Sequence, residues 1–311
     1  MKKVSLLVIL AAMMLVALVG CGQAASSPSA ESPAPSAETT TAAASSSETS
    51  SAEPVVLNVV GSTSVGPVIE ALAEKYIAVH PNVTINVQQP GSGGGVTATA
   101  DGSADLGMAS RNLKDEETAA TPDLQAHVLC LDGVAVIVNA DNKVTELTAE
   151  QIKKIFMGEI TDWSEVGGDK GPITLYSRDE SSGTREAFQT LFLGKDDAGE
   201  EIKIDDKKCL IVDSNGSMGS SVEGDPMGIG YMSLGLAPNY KVASVKIDGV
   251  EATIENLVGG TYKYFRNFNL LTLGDPAGEV KAFMDYCMTD AEATAYMEGK
   301  GYVMPYGKTS S

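Results

Sequence analysis

Val55-Val56-Leu57-Asn58-Val59-Val60 runs without a break into Gly61-Ser62-Thr63-Ser64-Val65-Gly66-Pro67, and the join between them decides the fold. The first stretch is the apolar run of a buried strand. Beyond the join, Val68, Ile69, Leu72, Ala73 and Tyr76 recur at helical spacing, and Pro67 suits a helical first turn. A strand feeding a helix through a short Ser/Thr/Gly loop is the repeating unit of an α/β fold.

The unit recurs downstream. His80-Pro81-Asn82 ends the first helix and residues 83–87 alternate as a second strand. Gly91-Ser92-Gly93-Gly94-Gly95 leads to a short helix predicted near 96–101. Residues 105–108 read as a strand delivering Ser110 and Arg111, and 114–119 as helix. The apolar run 134–138 is a long strand where the chain is expected to cross between domains. Residues 148–156 are helical, with Thr148 as N-cap and Gln151 at the capping-box position. Residues 173–176 form a strand feeding Ser181-Ser182-Gly183-Thr184, and the following helix carries Ala187, Phe188, Leu191 and Phe192 on one face. A strand at 228–232, a return through 263–271 and helices within 276–297 complete the pattern. The expected architecture is two α/β lobes, with lobe I at 55–137 and 264–311 and lobe II at 138–263. Strands that cross between lobes would act as a hinge beside a cleft where the loops meet.

Residues before the body read as an address. Lys2 and Lys3 precede an apolar run that ends in Leu18-Val19-Gly20-Cys21, the pattern of a bacterial lipoprotein signal over residues 1–21 with lipid on Cys21. Residues 22–54 are dominated by Ala, Ser, Thr, Pro and Glu, with no Lys, Arg or aromatic side chain. Such a segment cannot bury enough apolar surface to offset its ordering entropy, so it reads as a disordered tether with a reach on the order of 30 Å. The expected location is the outer face of a bacterial cytoplasmic membrane, held by the lipid anchor alone.

The chain carries a formal charge of −19, which becomes −21 once Lys2 and Lys3 leave with the signal. That balance argues against nucleic acid and against anionic lipid surfaces as partners. Cys130, Cys209 and Cys287 remain after Cys21, an odd number without metal-ligand spacing. Buried free thiols are expected, with one disulfide between two of them as the alternative. Neither a metal nor a cofactor is called for. A serine hydrolase or zinc enzyme is disfavoured, since the two histidines, His80 and His127, lie far from any candidate nucleophile and no H-E-x-x-H or Walker motif occurs.

The three Ser/Thr/Gly loops, with Ala109-Ser110 as a fourth, offer hydroxyls and backbone N–H groups where a small anion can approach closely. The chain has only four arginines, Arg111, Arg178, Arg185 and Arg266, and Arg178 and Arg185 flank the third loop. Arg178 offers paired donors that match two oxygens of a tetrahedral oxyanion, with Glu180 placed to orient it. Arg185 reads equally as a helix-surface residue, and Arg266 as a solvated one. The residues point to a receptor for a small oxyanion.

Arg178-Asp179-Glu180-Ser181-Ser182-Gly183-Thr184 resembles the R-x-[DE]-x-S-G-T motif of the PstS family, periplasmic phosphate-binding proteins that feed an ABC importer. Gly61–Pro67, Gly91–Gly95 and Ala104–Arg111 resemble that family's other binding loops, in the family's order. The resemblance implies a two-lobed fold of the periplasmic-binding-protein type, acting as a monomer, with phosphate buried between lobes and an ABC permease as partner. Carried over by position, it implies ligand contacts from Thr63, Ser64, Ser92, Ser110, Arg178, Ser182, Gly183 and Thr184, with Arg111 adding charge beside Ser110. Ser110 stands where well-known members have an aspartate that accepts the proton of hydrogen phosphate. This departure leaves sulfate, molybdate or arsenate as alternative ligands. A phosphate-sensing surface role is a separate alternative, since a lipoprotein can present ligand to a sensor as well as to a permease.

Overall fold

The computed structural model of the chain describes residues 53–305. The chain begins with β1 (Val55–Gly61), α1 (Gly66–Val79), β2 (Val83–Gln88), α2 (Ser92–Ala100), β3 (Leu106–Ala109) and α3 (Asp115–Ala120). It continues through β4 (Leu124–Asn139), β5 (Glu146–Leu147), α4 (Ala149–Met157), β6 (Thr174–Arg178) and α5 (Gly183–Phe188). Next come β7 (Leu210–Val212), α6 (Asn215–Gly224), β8 (Gly228–Ser233), β9 (Val242–Ser244), β10 (Lys246–Ile247) and α7 (Ile254–Val258). The described chain closes with β11 (Phe265–Leu273), α8 (Gly278–Thr289) and α9 (Ala291–Gly299).

One sheet runs in the order β2-β1-β3-β11-β4-β8-β6-β7, with β9 pairing on β4. Strands β1, β2 and β3 are mutually parallel, as are β6, β7 and β8, while β11 and β4 join the two sets antiparallel. The fold is α/β and two-lobed. Leu57, Ile69, Met108, Cys130, Phe268 and Phe283 belong to one core, and Val134, Phe156, Trp163, Phe188, Tyr231 and Tyr262 to the other. The chain passes between the cores along β4 and again just before β11. There Arg266 faces Asp132 and Phe265 faces Gly133 across the antiparallel ladder.

The strand expected at 134–138 is the second half of a 16-residue β4. Its first half pairs with β11 and its second with β8, so one strand serves both lobes. Helix α2 starts at Ser92, earlier than expected, so Gly93–Gly95 form its first turn. The glycines are there for contact: a Cβ on Gly95 would sit 2.7 Å from Met108 O and 2.8 Å from Gly61 Cα. The helix expected to carry Leu191 and Phe192 is α-helical only to Phe188 and continues as a π turn over Gln189–Leu193. Thr148 and Gln151 close the capping box as expected, with N–H donations of 3.1 and 2.9 Å. Cys130, Cys209 and Cys287 are free thiols, the first and last buried, and burial raises the pKa of all three. Among the described residues no helix is long and apolar enough to cross a membrane. Cys21 and most of the expected tether lie outside the described residues.

Candidate anion-binding site

Three loops from the β ends of both lobes touch one another. Gly61–Val65 links β1 to α1, and Ser62 Oγ accepts from the N–H groups of Ser64 and Val65 at 3.1 and 3.4 Å. That bond holds Ser64 inward, where its Oγ pairs with Thr184 Oγ1 of α5 at 2.9 Å. The start of α2 meets the same segment: Gly93 N donates to Ser181 O at 2.9 Å and Ser181 Oγ to Pro90 O at 3.1 Å. Ser110, at the end of β3, donates its N–H to Ser92 Oγ at 3.0 Å, and the two hydroxyls lie 3.3 Å apart. A Cβ on Gly183 would stand 2.3 Å from Ser92 Oγ and 2.8 Å from Ser110 Oγ, so glycine is required for this approach. Thr63, Ser64, Ser92, Ser110, Ser182 and Thr184 are all buried. Ser182 also caps α5, accepting from Arg185 N at 3.2 Å.

Arg178 is 1 % exposed at the end of β6, where Tyr231 Oη accepts from its backbone N–H at 3.2 Å. Its Nε and Nη2 donate to Val212 O and Asp213 O at 3.1 and 2.9 Å. Those bonds fix the plane of the guanidinium and leave one corner over: Nη1 is buried and has no hydrogen-bond partner among the described residues. An unsatisfied buried donor on a charged group costs on the order of 1–3 kcal/mol or more, which an anion at that corner would relieve. Burial lowers the Arg178 pKa, opposed by the Asp179 charge, with Arg266 adding to the lowering. The carboxylate beside it is Asp179, at 3.7 Å, and Glu180 is exposed. The orienting role expected of Glu180 is therefore filled by backbone carbonyls and its neighbour.

Arg266, expected at the solvated surface, is 6 % exposed and one of the most informative residues in the chain. Its Nη2 and Nε donate to Asp132 Oδ2 at 3.0 and 3.2 Å, while Nη2 also reaches Ser64 Oγ at 2.9 Å and Nη1 Ser110 Oγ at 3.4 Å. Asp132 is fully buried and accepts from Ser233 Oγ at 2.8 Å. Burial pushes the Asp132 carboxyl up and the Arg266 guanidinium down, and each opposes the other's shift. Asn215, at the start of α6, is a second residue that sequence reasoning missed. Its Nδ2 donates to Ser64 Oγ at 2.8 Å and Thr63 Oγ1 at 3.0 Å. Two signals were available. Asp132 places a carboxylate between the apolar runs 128–131 and 134–138 and so calls for a cationic partner, and Ser214-Asn215-Gly216-Ser217 repeats the small polar composition of the other loops.

Arg111 turns away from the hydroxyls. Its guanidinium bonds Glu117 at 2.5 and 2.8 Å and Glu186 of α5 at 3.1 Å, where Lys114 joins at 3.1 Å. It therefore braces one lobe against the other, where the sequence had suggested charge beside Ser110. Arg185 is buried too, donating to Arg178 O at 2.7 Å and Ile204 O at 3.1 Å and pairing with Asp206 at 2.6 Å. A groove of about 910 Å³ opens beside Arg111, Lys114, Glu186, Lys203 and Arg266. Its walls mix both charges and carry none of the loop hydroxyls.

A family model described as a PBP superfamily domain matches residues 32–291. The phosphate-binding protein PstS of Bacillus subtilis is 29 % identical over 302 residues, covering 97 % of this chain and 94 % of that protein. The phosphate-binding protein PstS of Staphylococcus haemolyticus is 32 % identical, covering 80 % of this chain and 81 % of that protein. Among solved structures, a Clostridium perfringens protein, assigned as the substrate-binding protein of a phosphate ABC transporter and holding phosphate, superposes with a TM-score of 0.73. It is 36 % identical and the match covers 81 % of this chain and 100 % of that one.

Proposed function

The chain belongs to the PstS family within the PBP superfamily, and from that premise we propose that it captures inorganic phosphate between its lobes and delivers it to an ABC importer. The observation that carries this reading is the unpaired Nη1 of buried Arg178, beside hydroxyl loops drawn from both lobes. In this reading Arg178 binds phosphate through the two N–H bonds of Nη1. Thr63, Ser92, Ser110, Ser182 and Thr184 supply hydroxyl or amide donors, and Ser64 stands one step back, donating to Thr184 Oγ1. Gly183 supplies the close backbone approach, and Asn215 and Arg266 set the hydroxyls from behind. Arg111 belongs to the brace, outside the ligand shell.

The protein works as a binding protein, without catalysis. It sits outside the cytoplasmic membrane as a monomer, tethered through a lipid on Cys21 and meeting its permease in the closed form. In this reading the lobes divide near Asp132–Gly133 and Tyr264–Phe265, a few residues before the 137/138 boundary expected on β4, because Cys130 packs in one core and Val134 and Val136 in the other. Calorimetric titration of the full chain with inorganic phosphate tests the reading. Saturable one-to-one binding is expected; absence of binding at millimolar phosphate would overturn it.

A further inference from the structure

If the hydroxyl loops hold phosphate, as proposed above, their hydrogen bonds also dictate the charge state that the site takes. A hydroxyl accepts two hydrogen bonds and donates one. Asn215 Oδ1 accepts from Ser233 N at 3.1 Å, which fixes the amide so that Nδ2 faces Ser64 and Thr63. Ser64 Oγ then receives two groups that can only donate, Arg266 Nη2 at 2.9 Å and Asn215 Nδ2 at 2.8 Å. Its own proton must go to Thr184 Oγ1, 2.9 Å away, and Thr184 must pass its proton onward. Thr63 Oγ1 is filled in the same way by the Nδ2 and N of Asn215, at 3.0 and 3.4 Å. Ser110 Oγ takes Arg266 Nη1 at 3.4 Å and shares one proton with Ser92 Oγ, 3.3 Å away. In a buried chain each donation strengthens the next, so the Arg266 charge is relayed to hydroxyl protons facing away from it.

Asp132, the carboxylate hydrogen-bonded to this donor set, has no acceptor capacity to spare. Asp132 is occupied by Arg266, Ser233 Oγ and Gly235 N. Asp179 Oδ1 is occupied by the N–H and hydroxyl of Ser181, and Asp213 Oδ1 by Ser217 Oγ at 2.6 Å. We propose that Arg266, held by Asp132 and acting through Ser64, Thr184 and Ser110, makes this a donor-only site that takes a doubly charged tetrahedral oxyanion without reading a proton on it. Arg266 is a positioning residue. The phosphate monoanion presents two P–OH protons, the dianion one and sulfate none, so the donor set suits them in increasing order.

The titratable groups facing the Asp132–Arg266 pair are Cys130, Tyr262, Tyr302 and Arg178. Burial pushes the thiol and both phenols upward, so they stay neutral at ordinary pH. Sulfate keeps its charge across neutrality and therefore serves as the control for titration of the protein.

The test is calorimetric titration of the full chain with inorganic phosphate and with sulfate at about pH 6 and about pH 8. Phosphate affinity is expected to rise about fivefold or more with pH, while sulfate competes for the site with affinity changing less than about twofold. Equal phosphate affinity at both pH values with sulfate excluded would overturn the proposal and leave the phosphate reading intact. A sulfate affinity that follows pH as phosphate does would also overturn it. Absence of phosphate binding at either pH would remove the phosphate reading itself. In Arg266→Gln, folded by its melting transition, the phosphate pH slope should flatten and sulfate binding fall more than phosphate binding. Equal losses for both anions with the slope unchanged would mean that Arg266 serves structure alone.

Discussion

Arg178 and Gly183 were readable as candidates because their chemistry is local: a guanidinium beside an S-G-T turn carries its meaning in adjacent letters. Arg178→Ala should weaken phosphate binding by about 2–5 kcal/mol, since the ligand loses its principal unpaired donor and countercharge. Calorimetry reads this directly, and affinity within about threefold of the parent chain would contradict the role. Gly183→Ala should also weaken binding strongly, because the added methyl meets Ser92 Oγ and Ser110 Oγ inside contact distance. A crystal structure of that variant with both hydroxyls undisturbed would contradict the packing argument. Arg266 was illegible for the opposite reason. Its partner Asp132 is 134 positions away, and only the β4–β11 register brings them opposite.

At the scale of elements, the loop after β3, helix α3 and helix α5 form a brace through Arg111, Glu117, Lys114 and Glu186. It joins the two lobes outside the hydroxyl cluster, so it should act on release of ligand more than on capture. Glu186→Gln keeps Arg111 paired with Glu117 and should cost closure about 1 kcal/mol, roughly a fivefold faster off-rate with an unchanged on-rate. Stopped-flow displacement distinguishes this from an on-rate effect, which would contradict the brace. For Glu117, burial pushes the carboxyl pKa up, but Arg111 and the Lys114 N–H outweigh it and the result is lowered. A carboxylate depressed in the folded state stabilises above its unfolded pKa, and loses that stabilisation as pH falls through the folded value. Acid unfolding of Glu117→Gln should accordingly show a shallower loss of stability below about pH 4.5 than the parent chain. Strands and most helices were legible from period and punctuation. The early start of α2 was not, because glycine's low helix propensity hides a first turn chosen for contact with β1 and β3.

Across the whole molecule, an acidic chain of formal charge −19 holds an anion site. The long-range field repels the ligand, so affinity has to come from fixed donors at short range. Raising sodium chloride from about 20 mM to about 500 mM should change phosphate affinity by less than about threefold, because buried pairs are screened little. A steep salt slope would move the site to the charged groove beside Arg111 and Lys114. The α/β class and the two-lobed plan followed from alternating strand and helix signals. The single strand that serves both lobes did not, because Gln125, His127 and Asp132 punctuate its first half and mask its continuity with the apolar run after them.

The most direct measurement is a crystal structure of the chain grown with phosphate. Phosphate is expected within hydrogen-bonding distance of Arg178 Nη1 and of hydroxyls from both lobes, Ser110 on one side and Thr184 on the other. Phosphate bound in the groove against Arg111 and Lys114, with Arg178 Nη1 still unpaired, would contradict the account.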